Sequence, residues 1–168
     1  MKRLTQLILV MILCFTIKAK AQITKIETYT EHVKDFSSTQ KDEINMLFFG
    51  TVPKIFISET GKEILLWADK GSFKTVELNY QQIEQLKNTE LLKSYKTVEV
   101  ISLNIEKGKA FKFDDSYLAG FPNLKYLLIN SSDGISVEEV KQLLADLLSS
   151  SALSDQIQVI LNKTNTSS

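Results

Sequence analysis

Cysteine is almost missing from this chain: one occurs in 168 residues, Cys14, inside an apolar run near the start. No disulfide can form beyond that run, so stability has to come from packing. Histidine is equally scarce, with His32 alone in a polar segment. A serine or cysteine nucleophile needs a base beside it, so the composition argues against a catalytic triad. His32 is expected to be a solvated surface residue. The six glycines are scattered singly and no phosphate-cradling loop can be built from them. Two prolines and no Pro-, Gly- or Ser-rich linker leave nothing to mark a second domain. No apolar run reaches the roughly 20 residues that a membrane-spanning helix needs.

What is present first is an export layout. Met1-Lys2-Arg3, the apolar run from Leu7 to Phe15, and Ala19-Lys20-Ala21 before Gln22 follow the three-part plan of a secretory signal peptide. Residues 1–21 are therefore expected to be cleaved after Ala21, leaving a single exported domain, residues 22–168, that is periplasmic or secreted. Leu13 stands where an acylated cysteine is normally preceded by a small residue, so a lipid on Cys14 is not expected. Lys2, Arg3, Lys18 and Lys20 leave with the leader, so the 20 basic residues fall to 16 against 20 acidic ones and the formal charge is −4. That balance favours neither nucleic acid nor, after cleavage, an anionic membrane.

The second feature is a quasi-repeat of apolar runs that end in asparagine. Val76-Glu77-Leu78-Asn79, Ile101-Ser102-Leu103-Asn104, Leu127-Leu128-Ile129-Asn130 and Val159-Ile160-Leu161-Asn162 are spaced by 25, 26 and 32 residues. Each interval holds one strand and one returning crossover. Val98, Ile101 and Leu103, then Leu124, Leu127 and Ile129, set the apolar rhythm of the two central units, and Phe121-Pro122-Asn123-Leu124 leads into the second. Over about residues 75 to 162 this resembles the leucine-rich repeat family, and the resemblance implies stacked strand-and-crossover units. The asparagines admit another reading, as strand-exit and helix-cap residues. Asn79 before Tyr80-Gln81-Gln82 would then cap a helix with Gln82 reaching back to it.

The fold class expected is α/β: one domain with a mostly parallel sheet and helical crossovers, either leucine-rich-repeat-like or irregular. Strands are predicted over 98–105, 124–129 and 157–161, because near-continuous apolar runs suit parallel strands buried on both faces. Ser136-Val137-Glu138-Glu139 is a capping box, and Val137, Val140, Leu144, Leu147 and Leu148 follow at helical spacing. Tyr80, Ile83 and Leu86 begin a similar stripe, with a break near Asn88-Thr89, and Asp114 to Leu118 can make only a short helix before Gly120 and Pro122. Ahead of the repeat, Ser38 or Thr39 is expected to cap a helix running to Gly50. Lys54 to Ser58 and Glu63 to Trp67 read as a hairpin turning through Gly61. Residues 23–37 read as an extended arm and 163–168 as a disordered tail.

Carboxylates are the only catalytic groups on offer. Asp114-Asp115 and Asp133 would hold a hard cation or act as an acid/base pair if they converged in space. Capping by Asp-Asp-Ser and a turn at Asp133-Gly134 account for them without chemistry. Lys107, Lys109 and Lys112 alternate with Phe111 and Phe113, which reads as a solvated loop leading into an edge strand. No catalytic residue and no cofactor is implied. The class expected is a non-catalytic exported binding module whose partner is a protein or polysaccharide of the cell envelope. The alternative is a carboxylate- or metal-dependent hydrolase.

Overall fold

The computed structural model describes residues 26–150 and 157–163, so the expected leader, the cleavage expected after Ala21 and the residues after Lys163 lie outside the described residues. Seven strands form one sheet in the order β1-β7-β6-β5-β4-β2-β3. The strands are β1 (Ile26–Thr28), β2 (Lys54–Ile57), β3 (Glu63–Leu66), β4 (Thr75–Asn79), β5 (Val100–Asn104), β6 (Tyr126–Ser131) and β7 (Gln158–Lys163). Every pairing is parallel except that of β2 with β3. That pair is the expected hairpin. Its turn closes through Ser58 N–H to Lys62 O at 2.8 Å, and Gly61 takes a φ of 76°, a conformation that side-chain-bearing residues avoid.

The N-terminal segment corrects the extended-arm reading. Ile26–Thr28 pairs in parallel with Val159–Leu161 and closes one edge of the sheet, a contact whose partner lies at the far end of the sequence. Thr28 then caps α1 (Tyr29–His32), with Glu31 returning the bond to complete a capping box. A second capping box, Ser37 with Gln40, starts α2 (Ser38–Phe49) one residue earlier than the sequence reading placed its cap. Two capping boxes, each a pair of polar residues, start the helices that lie on one face of the sheet. Similarly, Lys163 is the last residue of β7 rather than the first of the tail.

Alternation along the strands separates two faces. On one, Ile55, Val76, Leu78, Ile101, Leu103, Leu127, Ile129, Val159 and Leu161 are buried beneath the crossovers. On the other, Val100, Leu128 and Ile160 are buried beneath Ile44 and Phe48 of α2, with Tyr29, Val33 and Phe36 alongside. Helices therefore cover both faces, but α2 covers only part of the second. The first crossover after β4 is a run of 3-10 turns, Tyr80–Lys87 and Thr89–Leu91, followed by α3 (Leu92–Tyr95). The break at Asn88 falls as expected. The helix type differs because Ile83 and Leu86, three apart, both reach the core on a three-residue period.

The predicted final helix divides into α4 (Val137–Leu143) and α5 (Ala145–Ser149) at Leu144. Its backbone bonding nevertheless continues, from Leu144 N–H to Val140 O and from Leu148 N–H to Leu144 O. Asp115–Leu118 is a single 3-10 turn capped by Asp114, as the short-helix reading required.

One ion cluster ties together the entrances of three neighbouring strands. Glu99 Oε1 lies 2.5 Å from Lys74 Nζ and Glu99 Oε2 lies 2.6 Å from Lys125 Nζ. Burial raises the Glu99 carboxyl's pKa, but hydrogen bonds from Lys125 and Lys74 and their charges outweigh it, so the net shift is downward. A carboxyl held low in the folded state contributes stability above its unfolded pKa and loses it as pH falls through the folded value. Glu99→Gln is accordingly expected to cost about 1 kcal/mol at neutral pH. Urea titrations across pH should show the gap between parent and variant closing below about pH 4, where the free carboxyl protonates.

Candidate functional site

The parallel registers bring the four strand-final asparagines into one line across the sheet: Asn79 beside Asn104, Asn104 beside Asn130, and Asn130 beside Asn162. All four lie on the face that α2 only partly covers. Asn104 Nδ2 donates to Asn79 Oδ1 at 3.3 Å, and Asn162 Nδ2 donates to Asn130 Oδ1 at 2.8 Å. The line is interrupted between Asn104 and Asn130, because Asn130 Nδ2 turns back one row to the buried Ser102 Oγ at 2.9 Å. Asn79 Nδ2 and the side-chain oxygens of Asn104 and Asn162 therefore take no partner among the described residues.

These amides floor a cleft of about 500 Å³ at the carboxyl ends of the strands. That is the edge of a parallel α/β sheet where ligands bind, and the volume falls within the ~300–1,000 Å³ of small-molecule sites. One row below the amides, Lys54 Nζ pairs with Glu77 Oε2 at 3.0 Å, so the cation and the anion of the floor neutralise each other. Lys54 also lies 5.6 Å from the Trp67 ring centre. Phe48 and Phe49 from the end of α2, together with Tyr80 and Gln81 after β4, line the wall. Phe48 is buried while Phe49 remains 48% exposed. Gly50 permits the sharp chain exit that leaves both rings at the cleft, because a Cβ there would lie 2.5 Å from Met46 O.

The residues singled out from sequence go elsewhere. Asp114 accepts from the Ser116 hydroxyl and, at 3.0 Å, from Ser116 N–H. The hydroxyl bond is the main cause of its lowered pKa. Asp115 Oδ2 accepts from Ser150 Oγ at 2.5 Å, and Asp133 Oδ2 accepts from Lys107 N–H at 3.3 Å. Each aspartate fastens a different local element, and none of the three lines the cleft. Among the described residues no cluster of three or more His, Cys, Asp or Glu side chains is placed to hold a metal.

Three expectations are corrected. His32 is not a solvated residue: it is 9% exposed, edge-on to Phe36 at 5.1 Å and Tyr126 at 5.8 Å, with Nδ1 3.3 Å from Glu27 Oε2. Of the four residues of α1, which packs on the sheet, His32 is the buried one. Asn79 makes no side-chain cap, since Asn104 takes its oxygen. The Lys107 to Phe113 loop leads into the 3-10 turn rather than an edge strand. Its Phe113 is fully buried and Phe111 packs on the core, which leaves the lysines as the solvated part.

Sequence reasoning missed Ser102, Lys54, Glu77, Phe49 and Tyr80 as cleft residues. A signal existed for two of them. Glu77 and Ser102 each precede an asparagine by two positions, and a step of two along a strand returns to the same face. Comparison with protein-family models, with curated proteins and with solved structures found no match.

Proposed function

We propose that the chain is an exported, non-catalytic binding module of stacked leucine-rich-repeat-like strand units, and that the cleft at their carboxyl ends is its recognition surface. The observation that carries this reading is the line of four asparagines whose side chains are held by one another and by Ser102, yet keep a donor at Asn79 and acceptors at Asn104 and Asn162 open. Groups fixed in place before a ligand arrives lose little entropy on binding it. The aspartates support the same reading indirectly, because each is already engaged in a cap, a turn or a contact with Ser150.

The test is capture from the envelope of the producing cell by three immobilised proteins. The parent and the Asp114→Asn, Asp115→Asn, Asp133→Asn triple variant are expected to retain the same partner, because asparagine keeps shape and capping and removes only charge. An Asn104→Ala, Asn162→Ala double variant with parent-like circular dichroism is expected to lose it. The reverse pattern, loss in the aspartate triple and retention in the asparagine double, would transfer the function to a carboxylate or metal site.

A further inference from the structure

We infer that the cleft takes a neutral saccharide, with its hydroxyls on the asparagine line and the apolar face of a sugar ring on Phe49; this rests on the cleft being the recognition surface. Three features of the cleft select that ligand class. The first is charge. Lys54 is spent on Glu77 at 3.0 Å, so the floor presents no free cation to a phosphate, sulfate or carboxylate.

The second is the kind of hydrogen bond on offer. Amide side chains provide a donor at Asn79 and acceptors at Asn104 and Asn162, and a hydroxyl both donates and accepts, so a polyol can meet either kind without a fixed order. The amides recur across the sheet at the strand spacing of ~4.8 Å, a step of about one pyranose ring and longer than the ~3.3 Å per residue of an extended peptide. An extended peptide binds best by adding to an open strand edge, and this cleft lies on a face whose strands β4, β5, β6 and β7 are all paired on both sides.

The third is an exposed ring. Phe49 contributes to the cleft wall and is 48% exposed, although Phe48 beside it is buried. A large aromatic left at the rim of a polar floor is what the C–H face of a sugar packs against, as the amphipathic ring and the hydroxyl-bearing edge demand opposite surroundings. Tyr80 adds a second ring to the same wall.

The mature chain would be screened on an array of neutral and acidic glycans, and hits would be titrated by calorimetry and by nitrogen-edited NMR of the asparagine side-chain amides. A neutral Ser-Gly hexapeptide serves as the competing probe. The expected result is binding of a neutral glycan that shifts the amide signals of Asn79, Asn104 and Asn162. Affinity should fall at least tenfold in Phe49→Ala and in Asn79→Asp, the latter nearly isosteric, keeping the oxygen that Asn104 Nδ2 bonds and removing the open donor. Preference for acidic glycans overturns the inference. So does amide shifting by the hexapeptide with no neutral glycan bound, and so does an array with no bound glycan. In each of these cases the recognition surface itself is judged separately, by whether envelope capture still depends on Asn104 and Asn162.

Discussion

Leu144→Ala is expected to lower the free energy of unfolding by about 2–5 kcal/mol, the range for a core leucine that leaves a cavity. Leu144 is fully buried at the junction of α4 and α5, where Val140 and Leu147, also fully buried, continue the same stripe onto the sheet. The site cannot collapse easily, because α4 is pinned at its start by the Ser136–Glu139 capping box. Glu138→Ala on the outer side is the control: its side chain is 72% exposed and pairs only with Lys141, so the change should stay within about 0.5 kcal/mol. Urea unfolding separates the two. Equal midpoints for Leu144→Ala and the parent would mean that the apolar stripe does not face the core.

That stripe was legible because five apolar residues at helical spacing behind a capping box leave few alternatives. The three predicted strands were legible for a similar reason, since runs such as Tyr126–Ile129 and Val159–Leu161 are apolar on consecutive positions and suit a strand covered on both faces. β1 was not legible. Three residues, Ile26–Thr28, carry no period of their own, and they become a strand only because β7 offers an edge. The 3-10 geometry of Tyr80–Lys87 was equally hidden, as Tyr80, Ile83 and Leu86 fit a spacing of three within either helix type.

The candidate site shows the same division. The asparagines stood out in the sequence as the last residue of each apolar run, yet their meaning depended on register, which only the paired sheet supplies. One residue of slip would have placed them on the crossover face. Phe49 was invisible as a cleft residue, because its exposure follows from where α2 stops against the sheet and from the close approach at Gly50. The aspartates drew notice for their chemistry and proved to be anchors of a cap, a turn and a helix end.

Asn130→Ala is expected to have the largest effect on stability of any change in the cleft. Asn130 is the hinge of the amide line, donating to Ser102 Oγ at 2.9 Å and accepting from Asn162 Nδ2 at 2.8 Å. Removing it strands a hydroxyl that is 4% exposed and releases the Asn162 amide, so a cost of about 1–3 kcal/mol follows from the lost partner alone. Removing Ser102 as well deletes the stranded group, so the Ser102→Ala, Asn130→Ala double variant should be destabilised by less than the sum of the single changes. Asn104→Ala should cost less, since Asn104 makes one bond, at 3.3 Å, and its oxygen is already open. Recognition should not follow that ranking, because the open oxygen of Asn104 is presented directly to the cleft. Chemical denaturation and partner capture on the parent, the Ser102→Ala, Asn130→Ala and Asn104→Ala variants and the double variant separate the two roles: strict additivity would show that Asn130 and Ser102 act independently, and undiminished capture by Asn130→Ala would show that the amide line builds the sheet edge without serving the ligand.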